Sequence, residues 1–303
     1  MAAYQAYRGE KPVAAPTSRK VEGSFGRLVT DFYADRAFKK DLKPSSQRKY
    51  RDVLEGLARD HGHRAVSAMT PEAVERIINR IGETRPAMAN LTRAVLRQLM
   101  KFAKKHGMIA INPVVGIEAF KVGEHHTWTD GELRQFETRW RLGTRERLAY
   151  ALLLFTGQRV GDIASRTRAH VQDGSIYVVQ EKTGAELWIP IHPELALALK
   201  AYPARGLALI GKANGQPMTA HSLSRLMSKA IDKAGLPGRR VPHGLRKAML
   251  RILAEQGATS KEIQGISDHK TLREIERYTK AADQRILARS AMEKANKKRT
   301  GSD

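Results

Sequence analysis

Between Ser24 and about Ala119, apolar residues recur at the spacing of amphipathic helices. Ser24-Phe25-Gly26 leads into Leu28, Phe32 and Tyr33. Pro44-Ser45-Ser46 caps a second helix carrying Tyr50, Val53, Leu54 and Leu57. Thr70-Pro71-Glu72 opens a third, with Thr as N-cap and Pro at the first helical position, and Val74, Ile77 and Ile78 follow. A fourth is expected from about Arg85 to Lys105, closing at Gly107. Its core side is Leu91, Val95, Leu99, Phe102 and Ala103. Arg93, Arg97, Lys101 and Lys104 keep the same spacing two residues out of phase, about 200° around the helix. The pattern therefore predicts a row of cations opposite the core, fit for phosphate contact or simply solvated.

The pattern breaks at residues 121–127 (KVGEHHT), which read as a linker. Trp128-Thr129-Asp130 starts a second domain, with Thr129 or Asp130 as N-cap. Helices are expected over about 130–141 and 145–156. Strands at 175–180 and 186–189 flank Lys182-Thr183-Gly184 as a hairpin with Lys182 near its tip. Further helices are expected at about 193–202, 219–234, 242–256, 260–266 and 271–280, with a charged helix at 283–298. No internal repeat is evident. Residues 1–22, rich in Ala, Pro, Lys and Arg, read as a flexible arm; a DNA contact and an inert tail fit it equally. So few residues precede Ser24 that no full arm-binding domain is expected.

Composition narrows the class. A chain of 303 residues with 41% hydrophobic residues suffices for two cored domains. No apolar run approaches the ~20 residues of a membrane span, and the N-terminus lacks the apolar core of a signal peptide. With no cysteine, disulfides, thiolate zinc sites and a cysteine nucleophile are excluded. A cytoplasmic protein with access to DNA, and no membrane partner, is the expectation. The net charge of +23 favours a polyanion, since neutralising phosphates releases condensed counterions.

Six residues of the second domain fit one chemical task. They are Arg159 in TGQRVGD, Lys182 in QEKTG, His243 and Arg246 in PHGLR, His269 in SDHK and Tyr278 in ERYTK. Two guanidiniums clamp the charge that develops on the oxygens of an attacked phosphodiester. Tyr278 is the candidate nucleophile, activated by surrounding cations and a base. His243 is the candidate base, Lys182 the donor of a proton to the departing sugar oxygen, and His269 a phosphate ligand. No metal or other cofactor is needed. Taken singly, each residue also fits a plainer role. Tyr278 shares the Leu272/Ile275 spacing of a core stripe, Arg159 suits a cap paired with Asp162, and Lys182 suits a solvated turn. His-x-x-Arg also occurs at His61–Arg64, which is set aside as chance.

The order and spacing of the six resemble those of the tyrosine recombinases, or phage integrases. Thr156-Gly157-Gln158-Arg159-Val160-Gly161-Asp162 is similar to the family's TG-x-R-x-x-E/D segment. Lys182 takes the hairpin position, His243 and Arg246 the H-x-x-R, and His269 precedes Tyr278 by nine. Two departures stand out. Ser267-Asp268-His269 replaces the common Leu-Gly-His, and Asp162 replaces the frequent Glu, with a supporting role in orienting Arg159. The resemblance implies a fold that is mainly α with a small antiparallel β-sheet. A helical N-terminal core-binding domain (23–120) would precede a mixed α/β catalytic domain with a C-terminal helical tail (128–303), the two clamping the duplex. It also implies a 3′-phosphotyrosyl intermediate, and a homo-tetramer joining two double-stranded recombination sites through a Holliday junction. Accessory DNA-bending or directionality proteins would be possible partners. The implied role is integration or excision of a mobile element or prophage. A type IB topoisomerase and a non-catalytic DNA-coating protein are the alternatives.

Overall fold

The computed structural model describes residues 21–203, 206–212 and 214–268, with Ile275, Ala288, Arg289, Ala291, Met292, Glu293 and Asn296 beyond them. The chain divides into two compact units, one ending at Gly123 and one beginning at Glu124. None of the helices in the described residues is long and apolar enough to cross a membrane.

The first unit is helical: α1 Phe25–Ala34, α2 Arg36–Lys39, α3 Pro44–His61, α4 Pro71–Gly82 and α5 Pro86–Lys105. Ser24 caps α1, its side chain accepting the Arg27 N–H at 3.2 Å. Thr70 caps α4 by accepting the Ala73 N–H at 3.3 Å, with Pro71 in the first turn. On α3 the cap lies one residue earlier than the sequence suggested: Lys43 is the N-cap, makes no side-chain cap bond, and Pro44 opens the helix. The short α2 was not legible, since four residues carry no period. The core gathers Phe25, Leu28, Phe32, Leu54, Val74, Ile78 and Leu99. Its C-terminal strap is fastened to α5. Asn90 both accepts the Phe120 N–H and donates to its carbonyl, each at 2.9 Å, and the Phe120 ring lies against Gly82.

The second unit contains α6 Asp130–Arg139, α7 Arg145–Thr156, α8 Val160–Ala164, β1 Val171–Gln172, β2 Ser175–Val179, β3 Glu186–Pro190, α9 Pro193–Ala201, α10 Ala220–Lys233, α11 His243–Glu255 and α12 Ser260–Ser267. The strands form an antiparallel sheet in the order β1-β2-β3, with Ile176 opposite Ile189 and Val179 opposite Glu186. The sequence reading lacked β1, a two-residue strand, and α8, a five-residue helix. Thr129 caps α6 in a reciprocal capping box with Glu132. Helix α7 is buried nearly all round and forms the centre of the core, with α9, α10 and α11 against it. Phe136 stacks on Tyr150 of α7, the Trp128 ring meets Phe136 edge-on, and the Trp128 indole donates to the Val241 carbonyl at 3.2 Å.

That bond sets the start of α11. Gly244 lies so close to the Trp128 ring and the His126 carbonyl that a Cβ there would overlap both. Farther along α11, Lys247 donates to the Glu124 carboxylate and the His125 carbonyl, each at 2.8 Å. Arg251 forms ion pairs with Asp130 and Glu255. Residues 124–127 of the expected linker, and Trp128 after them, are thus fastened to the helix that carries His243 and Arg246.

Candidate active site

Four pieces of chain meet here: the end of α7 with the turn into α8, the base of the β2–β3 hairpin, the start of α11, and the end of α12. Helix α7 closes on Gly157 in the left-handed region (φ +63°), a conformation that glycine adopts without a Cβ penalty. The turn exposes the Gly157 carbonyl, and Arg246 donates to it through Nη1 at 2.7 Å. Arg246 Nη2 donates to the Ser267 carbonyl at 2.8 Å. The Arg246 side chain is only 1% exposed, so its charge is held by backbone carbonyls instead of water.

Arg159, two residues past Gly157, is the N-cap of α8 and stays 27% exposed. Its Nη1 donates to the Gln180 side-chain oxygen at 2.6 Å. Gln180 Nε2 donates to Gln158 Oε1 at 2.8 Å and to the Ser267 carbonyl at 3.2 Å. The Ser267 carbonyl is therefore shared between Arg246 directly and Arg159 by way of Gln180.

The expected role of Asp162 takes a different form. Its Oδ2 lies 3.8 Å from Arg159 Nη1 and has no hydrogen-bond partner among the described residues. Its Oδ1 accepts the Glu181 N–H at 2.9 Å. The carboxylate is hydrogen-bonded to the hairpin backbone and reaches the guanidinium only as a nearby charge.

His243 begins α11, three residues before Arg246, and is exposed. Its ring meets the His125 ring edge-on, with centroids 5.5 Å apart. Its pKa is pushed down from the usual 6.5 to about 4, first by loss of water around the ring and then by the charges of Arg246, His125, Lys247 and Arg159. Solvent moderates the first cause; the Arg246, Lys247 and Arg159 charges act in the same direction regardless. At neutral pH the imidazole is uncharged and able to accept a proton.

Lys182 lies exposed in the hairpin turn, two residues from Gln180. Arg159, His243 and Arg246 are thus brought together, with the base of the Lys182 hairpin tied to them. His269 and Tyr278 lie outside the described residues, as do the expected helix 271–280, apart from Ile275, most of 283–298 and most of the N-terminal arm. Ile275, three residues before Tyr278, is buried against Leu250, Ala254 and Ile263. Asp268, just before His269, adopts φ +52°, the left-handed region where the resembled motif has glycine. Aspartate is among the few residues that tolerate it.

Sequence reasoning missed Gln180 and Gln158. For Gln180 a signal was present. Ile176 and Val178 are the buried positions of β2, and Gln180 follows in the same parity. A polar residue at an inward position needs bonding partners there.

In the first unit, the buried face of α5 includes Thr92, Leu96 and Met100 beside Val95, Leu99 and Ala103. This turns the core side toward the cation row and places Arg93 at its edge. Arg93 is half-buried, and its Nη1 donates to the Ile117 carbonyl at 2.8 Å. Arg97, Lys101 and Lys104 remain exposed.

A family model described as the phage integrase family matches residues 132–285. The integrase of Enterobacteria phage 434 is 29% identical over 216 residues, covering 67% of this chain and 60% of that protein. The integrase of Escherichia phage lambda is 26% identical over 256 residues, covering 80% of this chain and 72% of its own length. A crystal structure of a lambda integrase tetramer bound to a Holliday junction shares the fold, with a TM-score of 0.76 at 24% identity over 94% of this chain and 85% of that one.

Proposed function

The chain belongs to the phage integrase family, and from that premise we propose that it is a tyrosine-type, site-specific DNA recombinase that integrates or excises a mobile element. The observation that carries this reading is the common seat of Arg159 and Arg246 around the Ser267 carbonyl, with the uncharged His243 beside them.

In this mechanism Arg159 and Arg246 bind the non-bridging oxygens of one phosphodiester and stabilise the charge that grows on them. The Tyr278 hydroxyl gives its proton to His243 as its oxygen attacks phosphorus. The bond from phosphorus to the 5′-oxygen breaks, and that oxygen leaves with a proton from Lys182. The products are a 3′-phosphotyrosyl link and a free 5′-hydroxyl. A 5′-hydroxyl of a partner strand then attacks the link, restores the phosphodiester and releases Tyr278. Each step exchanges one phosphate ester for another, so no high-energy cofactor is consumed. His269 supports the phosphate, and Asp162 supports the hairpin. Four protomers hold two duplexes during strand exchange, an arrangement for which the lambda integrase tetramer on a Holliday junction is the structural relative. Arg97, Lys101 and Lys104 provide phosphate contacts from the first unit.

The test is covalent trapping on a nicked suicide duplex spanning the crossover sequence, mapped from the DNA flanking the element. The wild-type chain accumulates a protein–DNA adduct. Tyr278→Phe retains DNA affinity and forms none. Adduct formation by Tyr278→Phe at the wild-type rate would remove Tyr278 from the mechanism.

A further inference from the structure

Gln180 has no exposed surface, and both ends of its amide are fully engaged. Its oxygen accepts from Arg159 Nη1 at 2.6 Å and from the Thr183 hydroxyl at 3.2 Å. Its nitrogen donates to Gln158 Oε1 at 2.8 Å and to the Ser267 carbonyl at 3.2 Å. A glutamine amide offers two acceptor and two donor positions, and all four are used. Exchanging oxygen and nitrogen would set an N–H against the Arg159 guanidinium, so the bonding pattern fixes which way the amide faces.

The network links Arg159, the hairpin turn and the Ser267 carbonyl. Arg159 carries one half of the phosphate clamp. Thr183 is the neighbour of Lys182 in the hairpin turn. The Ser267 carbonyl is the acceptor that Arg246 also uses. Gln158 extends the network, its own nitrogen donating to the Ile266 carbonyl at 2.7 Å and the Thr156 carbonyl at 3.1 Å. Asp162 holds the hairpin by its backbone, but its carboxylate stands 3.8 Å from the Arg159 guanidinium. The short hydrogen bond to Arg159 comes from Gln180.

We propose that Gln180 is a positioning residue for strand cleavage. It sets the orientation of the Arg159 guanidinium relative to Arg246 and couples both to the base of the Lys182 hairpin. The inference rests on the reading of Arg159 and Arg246 as the phosphate clamp. It differs from a purely structural role, in which a buried glutamine is satisfied for the sake of folding and its loss lowers stability without acting through Arg159.

A double-mutant cycle on the full chain separates these roles. Single-turnover cleavage of the nicked suicide duplex is measured for wild type, Gln180→Met, Arg159→Lys and the double variant, with DNA affinity in parallel. Gln180→Met is expected to slow cleavage about a hundredfold, the scale of an ångström-sized misplacement of a catalytic group, at wild-type DNA affinity. In the Arg159→Lys background the same change adds little, because the group it positions is already gone. Equal factors in both backgrounds, or wild-type cleavage by Gln180→Met, would overturn the proposal while leaving the clamp intact. Wild-type cleavage by Arg159→Lys would instead overturn the clamp reading, and this inference with it. Should Gln180→Met not fold, Gln180→Glu serves in the same cycle. It keeps the oxygen facing Arg159 and Thr183 and gives up the donations to Gln158 and Ser267. Slowing that vanishes in the Arg159→Lys background supports the proposal, and slowing that persists there unchanged refutes it.

Discussion

Asp162 accepts the Glu181 N–H at 2.9 Å, and this bond ties the start of α8 to the hairpin one residue before Lys182. An acidic residue three positions after a site arginine would ordinarily be assigned to the guanidinium. Here its hydrogen bond goes to the hairpin backbone. Asp162→Asn keeps an oxygen for that N–H and removes the charge; Asp162→Ala removes both. Cleavage by the Asn variant is therefore expected to stay close to wild type, and that by the Ala variant to fall about tenfold, the equivalent of removing one hydrogen bond to a charged group. Equal loss in both variants, measured by adduct formation on the suicide duplex, would return the role to the charge.

His243 gives the protein a pH dependence of known sign. Its folded pKa lies near 4 against 6.5 for the free side chain. Above pH 6.5 the ring is neutral in both states and contributes nothing. As pH falls from 6.5 toward 4, the unfolded chain takes up a proton that the fold resists, so stability declines, and the decline ends once the folded ring is protonated as well. Thermal melting from pH 7.5 to 4 is expected to show a smaller loss for His243→Gln than for wild type. Identical curves would mean that neither burial nor the neighbouring charges lower the pKa of this ring.

The exposed cations of α5 and the engaged one should behave differently. Replacing Arg97, Lys101 and Lys104 with alanine is expected to weaken DNA binding and flatten its salt dependence, by up to about 0.9 in logarithmic slope for each phosphate left unneutralised. Arg93→Ala is expected to lower the melting temperature and leave the slope unchanged, since its guanidinium holds the Ile117 carbonyl. Fluorescence anisotropy across a salt series, with melting measured alongside, distinguishes the two outcomes.

Gly244→Ala tests the seat of α11. The added methyl group meets the Trp128 ring and the His126 carbonyl, and backbone must shift to admit it. A destabilisation of about 1–3 kcal/mol is expected, the usual cost of overpacking a filled core. Because His243 immediately precedes Gly244, the strand-cleavage rate at a permissive temperature should fall as well. A variant with wild-type melting and wild-type cleavage would show that this crowding is readily relieved.

Much of this architecture is legible where local chemistry and periodicity agree. Thr70-Pro71 marks a helix start by a side-chain bond that any N-terminus needs, and it occurs as read; of the two caps offered for α6, Thr129 and Asp130, the structure uses Thr129. Helix α7 runs over 145–156 as its apolar run suggests. Elements too short for a period, α2, α8 and β1, escape that reasoning because tertiary contacts decide them. Within the site, Arg159, His243 and Arg246 announce themselves by charge and spacing. Gln180 and Gln158 carry no charge, and their partners lie 87 and 108 residues away in sequence. A long-range polar network leaves only a faint trace in a linear pattern, here a single glutamine in the inward parity of a strand.

The Ser267 carbonyl has a consequence for timing. Both guanidinium arrangements end on one oxygen in the last turn of α12, more than a hundred residues after Arg159. A chain interrupted before that turn, as every copy is during its own synthesis, has Arg159 and Arg246 without their common anchor. The arrangement of Arg159 and Arg246 is therefore completed late in the chain, after the helices of the first unit described above and only once α12 has supplied its carbonyl.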